Sequence, residues 1–297
     1  MKNESETDYA GNRNIFKYET TIIVNCILNA LFMLSTVLGN SLVLAAILRT
    51  PSLRSSSITF LCSLAVSDLF VGLVVQPVYI AYQLTESATV FQILSIVAGS
   101  GCGFSLLLMT TITVDRFLAL HYHMQYPNLM TSHRALYTSV TLWIVSLLLS
   151  LCSFWKMEAY HFAAAVSIAI CLLLSSAYYV RIYRIAKKHQ LQIHVQQIAV
   201  ENHAGNINQT VLRSTKSAKN TFIYYIAMVL CYTPLFTSMS ALAISPDRWT
   251  IAWTLADTAA FMNSSINPFL YCWRLREIRT AAVKTIRQML CRQRTTH

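Results

Sequence analysis

The chain has 297 residues, 55% of them hydrophobic and only 12% charged, with a formal net charge of +11. Soluble domains carry roughly a quarter charged residues, so the apolar excess has to face something other than water. With 7 Gly, 6 Pro and abundant aromatics, disorder and collagen-like structure are excluded as well.

In chain order, residues 1–19 are polar and lack the apolar core of a signal peptide. They read as a short extracellular N-terminal segment, with the first apolar run as the insertion signal. Asn3-Glu4-Ser5 is a glycosylation sequon there, occupied or not. A helix needs about 20 mostly apolar residues to cross a bilayer core of roughly 30 Å. Thr21–Leu48, Ser87–Val114, Ala135–Trp155, Ala159–Val180 and Asn220–Pro246 contain no Asp, Glu, Lys or Arg. Ser55–Thr85 is interrupted only by Asp68, and Trp249–Trp273 only by Asp257. These runs predict an all-α membrane protein: a seven-helix bundle over residues 20–273, followed by a tail over 274–297.

The polar stretch Lys187–Lys219 reads as helical extensions of spans five and six around a turn at Gly205. In Arg274–Leu290, Leu275, Ile278, Ala282, Ile286 and Met289 share one face, and Arg276, Arg279, Lys284 and Arg287 occupy much of the rest. That pattern is an amphipathic helix lying on a leaflet. Cys291 beyond it is either a palmitoylation site or a plain thiol.

Orientation follows Lys and Arg. The side holding Arg49 and Arg54 collects 18 of the 23 basic residues, so the amino terminus is placed outside and the carboxyl terminus in the cytoplasm. The positive charge then serves anionic lipid rather than nucleic acid.

Ionisable groups within spans are costly and point to function. Asp68 sits mid-membrane, with Asn40 available from span one, Ser105 from span three, and Asn263 and Asn267 from span seven. Such an acid, ringed by oxygens, suits a small monovalent cation, or is a hydrogen-bonded structural acid. Asp115-Arg116 closes the third span, either as an ion pair that can release its guanidinium to a partner or as a surface pair. Pro234 and Pro268 interrupt spans six and seven, and a proline within a helix frees a carbonyl and makes a hinge.

Gly39-Asn40, Leu64-Ala65-x-x-Asp68, Asp115-Arg116-Phe117, Trp143, Pro234 and Asn267-Pro268-x-x-Tyr271 follow one another along the spans. Together they resemble the rhodopsin-like G protein-coupled receptors over Thr21 to Leu290, and Ser265–Arg274 looks most like the melanocortin, adenosine, cannabinoid and lysophospholipid branch. The resemblance implies a receptor at the plasma membrane that makes or breaks no bond, with an outside ligand and a heterotrimeric G protein as partners. It assigns Asp68, Ser105, Asn263 and Asn267 to an allosteric sodium pocket. It makes Arg116, with Asp115, the G-protein switch, aided by Tyr179 and Tyr271. Tyr232 stands where most relatives carry tryptophan, and Cys171 where span five normally has proline.

By family depth the ligand would meet Tyr79, Gln83, Ser95, Ala98, Cys102, Tyr232, Phe236, Met239, Asp257 and Phe261. Ala98 falls where amine receptors carry aspartate. Asp257 is then either the counter-ion of a cationic ligand or a rim acid facing water, Arg248 or Lys156. The second outer loop is a stub, Trp155–Tyr160, without cysteine, so no disulfide to span three is expected. An opsin is excluded because span seven has no lysine, and a membrane hydrolase because His161 is the sole histidine within a span. An ion-coupled transporter using Asp68 and Asp257 is the remaining alternative. Neither internal repeats nor paired broken helices support it.

Overall fold

The computed structural model describes residues 2–50, 55–122, 124–199, 208–244 and 250–294, with no strand among them. The helices are α1 (Lys2–Leu48), α2 (Ser56–Phe70), α3 (Gln76–Thr85), α4 (Ala88–His121) and α5 (Tyr126–Leu129). They continue with α6 (Ser132–Leu151), α7 (Met157–Ala199), α8 (Asn208–Ile244), α9 (Thr250–Arg274) and α10 (Arg276–Arg294). The side chains of Asn3 and Cys291, and the whole of Arg248, lie outside the described residues.

Spans one to seven are therefore α1, α2 with α3, α4, α6, α7, α8 and α9. Six of them are long and apolar enough to cross a bilayer, over Glu19–Leu48, Ser56–Thr85, Ala88–His121, Ser132–Phe154, Met157–Lys188 and Phe222–Leu242. The seventh, α9, is diluted by Asp257, Asn263, Ser264, Ser265 and Asn267. It is shielded instead, packing along α1 on one side and α8 on the other. The bundle puts hydrophobic side chains on its outside as well as inside: Leu38, Leu73, Leu173 and Leu230 are each more than 60% exposed. In water that surface would be untenable, and against acyl chains it costs nothing.

The second span is one continuous rod bent by a π turn, Val71–Val75, which the sequence reading did not foresee. There the Gln76 N–H reaches back five residues to the Val71 carbonyl, and Pro77, which lacks a donor, follows at once. Gly39 lets α1 close on α9, since a methyl group on it would sit 2.8 Å from the Pro268 ring. Trp143 of α6 joins three spans, stacking on Phe104 of α4 with centroids 4.8 Å apart and meeting Phe70 of α2 edge-on at 5.5 Å. The α10 helix lies against α1, and its buried residues are Ile278, Ala281, Ala282 and Thr285. Ile286, expected on the apolar face, is 41% exposed, as a side chain turned to lipid would be.

A polar clasp fastens the end of α1 distal to α10. Asn25 Nδ2 donates to the Tyr79 hydroxyl at 2.7 Å, and that hydroxyl donates to the Thr254 carbonyl at 3.0 Å. Thr258 donates to Asn25 Oδ1 at 2.6 Å, and Asn29 Nδ2 donates to Thr258 at 2.9 Å. With no water at this depth, each lost partner strands a buried group at about 1–3 kcal/mol. Asn25→Ala is expected to lower the thermal midpoint of the purified protein more than Ile23→Ala, a lipid-facing change two residues away.

Candidate functional site

At the end of the bundle that carries α10, Asp115 is buried and holds three donors. Arg116 Nη2 lies 2.8 Å from Asp115 Oδ2, the one ion pair among the described residues. Ser57 donates to the same oxygen at 3.2 Å, and the Tyr126 hydroxyl donates to Oδ1 at 2.6 Å. Burial and the hydrogen bond to Asp115 hold the Tyr126 phenol above its ordinary pKa, so it remains a donor. Sequence reasoning missed Ser57 and Tyr126; the one lies on another helix and the other in the short α5. Tyr179 stacks parallel on Tyr225 of α8 at 5.4 Å, and Tyr271 is buried beside Tyr224 at 5.8 Å with its hydroxyl unpartnered. The two tyrosines grouped with Arg116 thus belong to the α7–α8 and α8–α9 seams.

Midway, Asn267 Nδ2 donates to Asp68 Oδ2 at 3.0 Å. Asp68 Oδ1, Asn263 Oδ1 and Asn267 Oδ1 are all buried without a protein partner. Asn263 points its amide at the Met109 sulfur, 3.4 Å away. Ser105 does not bond Asp68; its hydroxyl meets Ser67 at 2.8 Å. Three orphaned oxygens on two adjacent helices form a donor set that fits a hard cation.

Above this lies a cavity of about 110 Å³, walled by α4, α6, α7, α8 and α9. Seven expected residues line it: Ser95, Ala98, Cys102, Tyr232, Met239, Asp257 and Phe261. Three do not. Tyr79 is fully buried behind the wall, its hydroxyl consumed by the α1 clasp and its ring edge-on to Phe261 at 5.1 Å. Gln83 follows one turn on along the same face, and Phe236 packs into the general core. These three do not face the cavity. The wall also includes Trp253, Tyr160, Ser146 and Ser150, which sequence reasoning overlooked. Serines at 146 and 150 in the otherwise apolar stretch from Leu142 to Leu151 of α6 were the readable sign.

Pro234 and Pro268 lie inside α8 and α9 as expected. Tyr232, two residues before Pro234, donates to the Cys102 carbonyl at 3.0 Å and so ties α8 to α4 at the cavity floor. The seven described cysteines are free, and the turn between α6 and α7 is only a few residues long.

Residues 39–171 match the 7 transmembrane receptor (rhodopsin family) model. The histamine H2 receptor of Cavia porcellus is 27% identical, over 94% of this chain and 82% of the relative. The alpha-1A adrenergic receptor of Oryzias latipes is 26% identical, over 84% of this chain and 64% of the relative. The histamine H2 receptor of Homo sapiens is 25% identical, over 84% and 76%. Bundle, matched segment and relatives together support a rhodopsin-like G protein-coupled receptor. These relatives are amine receptors by name, so the melanocortin, adenosine and lipid branch gains no support from them.

Tyr232→Phe removes the α8–α4 bond without changing ring volume. A stability loss of about 1 kcal/mol, read as a lower thermal midpoint, is expected.

Proposed function

We propose that the chain is a plasma-membrane receptor that takes a small extracellular ligand into the cavity beside Asp257 and passes the signal to a heterotrimeric G protein at the α10 end. The observation that carries this reading is the buried Asp115, which holds Arg116 with Ser57 and Tyr126 as co-donors. A guanidinium held that way at the end of α4 becomes available when the neighbouring helices part. The excess of Lys and Arg on that side supports a cytoplasmic placement, with the amino terminus outside.

In this mechanism the ligand binds one of two helix packings more tightly and so shifts their populations. The path from cavity to switch starts at Tyr232, whose hydroxyl bridges to α4, and continues through the Pro234 hinge. Movement of α8 would carry Tyr224 and Tyr225 away from Tyr271 and Tyr179, opening a space beside Arg116. The orphaned oxygens of Asp68, Asn263 and Asn267 would hold a sodium ion in the closed packing and disfavour the open one. In the amine receptors the ligand's charge meets an aspartate at the place of Ala98. Here Asp257 is the acid in the cavity, which supports a counter-ion on α9 rather than on α4.

Arg116→Ala is expected to abolish ligand-dependent nucleotide exchange on the G protein while leaving surface expression unchanged; normal exchange in that variant overturns the assigned switch. Sodium chloride should raise the thermal midpoint of the wild type above that in choline chloride. Asp68→Asn should erase the difference, and a persistent difference would place the ion elsewhere.

A further inference from the structure

The cavity has two chemically unlike ends. Asp257 stands on α9, and among the described residues it makes no ion pair. The lining holds no Lys, Arg, His, Asn or Gln. A carboxylate in a largely apolar, membrane-embedded pocket needs an opposite charge, and nothing in the wall supplies one. The far end reaches α6 on the opposite side of α4, where Ser146 and Ser150 form the wall.

At that far end α4 carries Gly99 and Gly103, which let α6 close on it. A methyl group on Gly99 would come within 2.6 Å of the Ser150 hydroxyl, and one on Gly103 within 2.7 Å of the Ser146 hydroxyl. On the α7 side the wall is again small, with Ala163, Ala164 and Ser167. Neighbouring helix axes lie about 8–10 Å apart. A pocket lined from α9 past α4 to α6 therefore reaches across more than one such spacing.

The polar atoms of the arm have no hydrogen left to give. Ser146 donates to the Ser100 carbonyl at 2.8 Å, Ser150 to the Ser146 carbonyl at 2.8 Å, and Ser95 to the Phe91 carbonyl at 2.9 Å. Tyr160 donates to the Ser95 carbonyl at 3.3 Å, and Tyr232 to the Cys102 carbonyl at 3.0 Å. A phosphate, a carboxylate or a ribose would lose its hydration here and find a single uncommitted hydroxyl, Ser167, and the thiols of Cys102 and Cys171. An apolar body loses nothing, and a protonated nitrogen finds Asp257.

We infer that the ligand is a lipophilic monocation lying across the bundle, its charged nitrogen on Asp257 and its apolar body in the arm between α4, α6 and α7. The inference rests on the receptor reading for its physiological meaning, while the binding itself can be measured without a G protein. A short, multiply hydroxylated amine fits poorly, because the arm would stay unfilled and its donors are already spent. Anionic lipids and nucleosides are excluded by the same wall.

The test uses the full-length protein in lipid nanodiscs, with octylamine, butylamine, octanol and octanoate as probes and thermal stabilisation as the readout. Octylamine should stabilise at concentrations at least about tenfold below those needed for butylamine, with octanol and octanoate weaker still. Asp257→Asn should weaken octylamine about thirtyfold or more, as expected for loss of one partner of a buried charge pair, and Asp257→Glu should retain binding. Ala163→Phe fills the arm and should erase the advantage of octylamine over butylamine; Ser167→Met is the milder filling should the first variant fold poorly. Equal stabilisation by octanol or octanoate, or unchanged octylamine binding in Asp257→Asn, overturns the proposal. If octylamine binds as described yet neither it nor any bulkier amine alters nucleotide exchange, the ligand class stands and the receptor reading falls. If exchange responds only to anions or neutral molecules, the reverse holds.

Discussion

In a bilayer core no water waits to rescue an unpaired donor or acceptor, and that constraint organises this bundle more than apolar packing does. Hydrophobic side chains are as content against lipid as against one another, so what fixes the helices relative to each other is where their polar atoms go. The answer is a seam down α1, the second span and α9. It begins with Asn25, Asn29, Tyr79 and Thr258, continues with Thr36 on Ser265 at 2.8 Å and Asn40 on the Ser264 carbonyl at 3.1 Å, and ends with Asn267 on Asp68. The helix that carries Asp257 is thereby held along its length. Thr258, the next residue, is a member of the clasp, so the acid offered to the cavity stands on the most firmly fixed helix.

The same constraint explains what could be read in advance. Windows free of Lys and Arg, two of them holding a single Asp, marked all seven spans, because a charge inside a span is expensive enough to be rare. Even α9, the least apolar of them, was found by its lack of Lys and Arg rather than by its hydropathy. Gly39, Asn40, Asp68, Trp143 and Pro268 announced themselves as residues with no generic reason to lie where they do, and they sit at helix contacts. The π turn was invisible: Val71–Val75 is uniformly apolar, and the wider turn depends on how Gly72 packs against Thr36 of another helix. Rotation about each helix axis was illegible for a similar reason. Tyr79 has the right depth to meet a ligand, yet the clasp turns it away, and only the partner helix reveals that.

The cavity shows the limit of depth arguments most plainly. Family position directs attention to α4, α8 and α9, and of the residues named on them all but Phe236 line the cavity. The far half is lined by small residues, Ala163 and Ala164 among them, which carry no chemistry of their own, while Gly99 and Gly103 let α4 and α6 close there. Absence of side chain, coupled with serines whose protons are already used, shapes a pocket as decisively as any charged anchor.

At the opposite end, the arrangement around Asp115 bears on how the proposed switch opens at low cost. Were Arg116 the sole donor to Asp115, freeing it would strand a buried carboxylate, a penalty of several kcal/mol. Ser57 and Tyr126 remain on the carboxylate when the guanidinium leaves, one on each oxygen. The departure then exchanges one of three hydrogen bonds, and Arg116, already partly exposed, recovers contact with water or with a partner's acceptors. A ligand can shift two packings only by its differential affinity for them. A closed state held by one exchangeable bond here and one at Tyr232 lies within reach of such a difference. Retention of the two co-donors makes the lock releasable rather than merely strong.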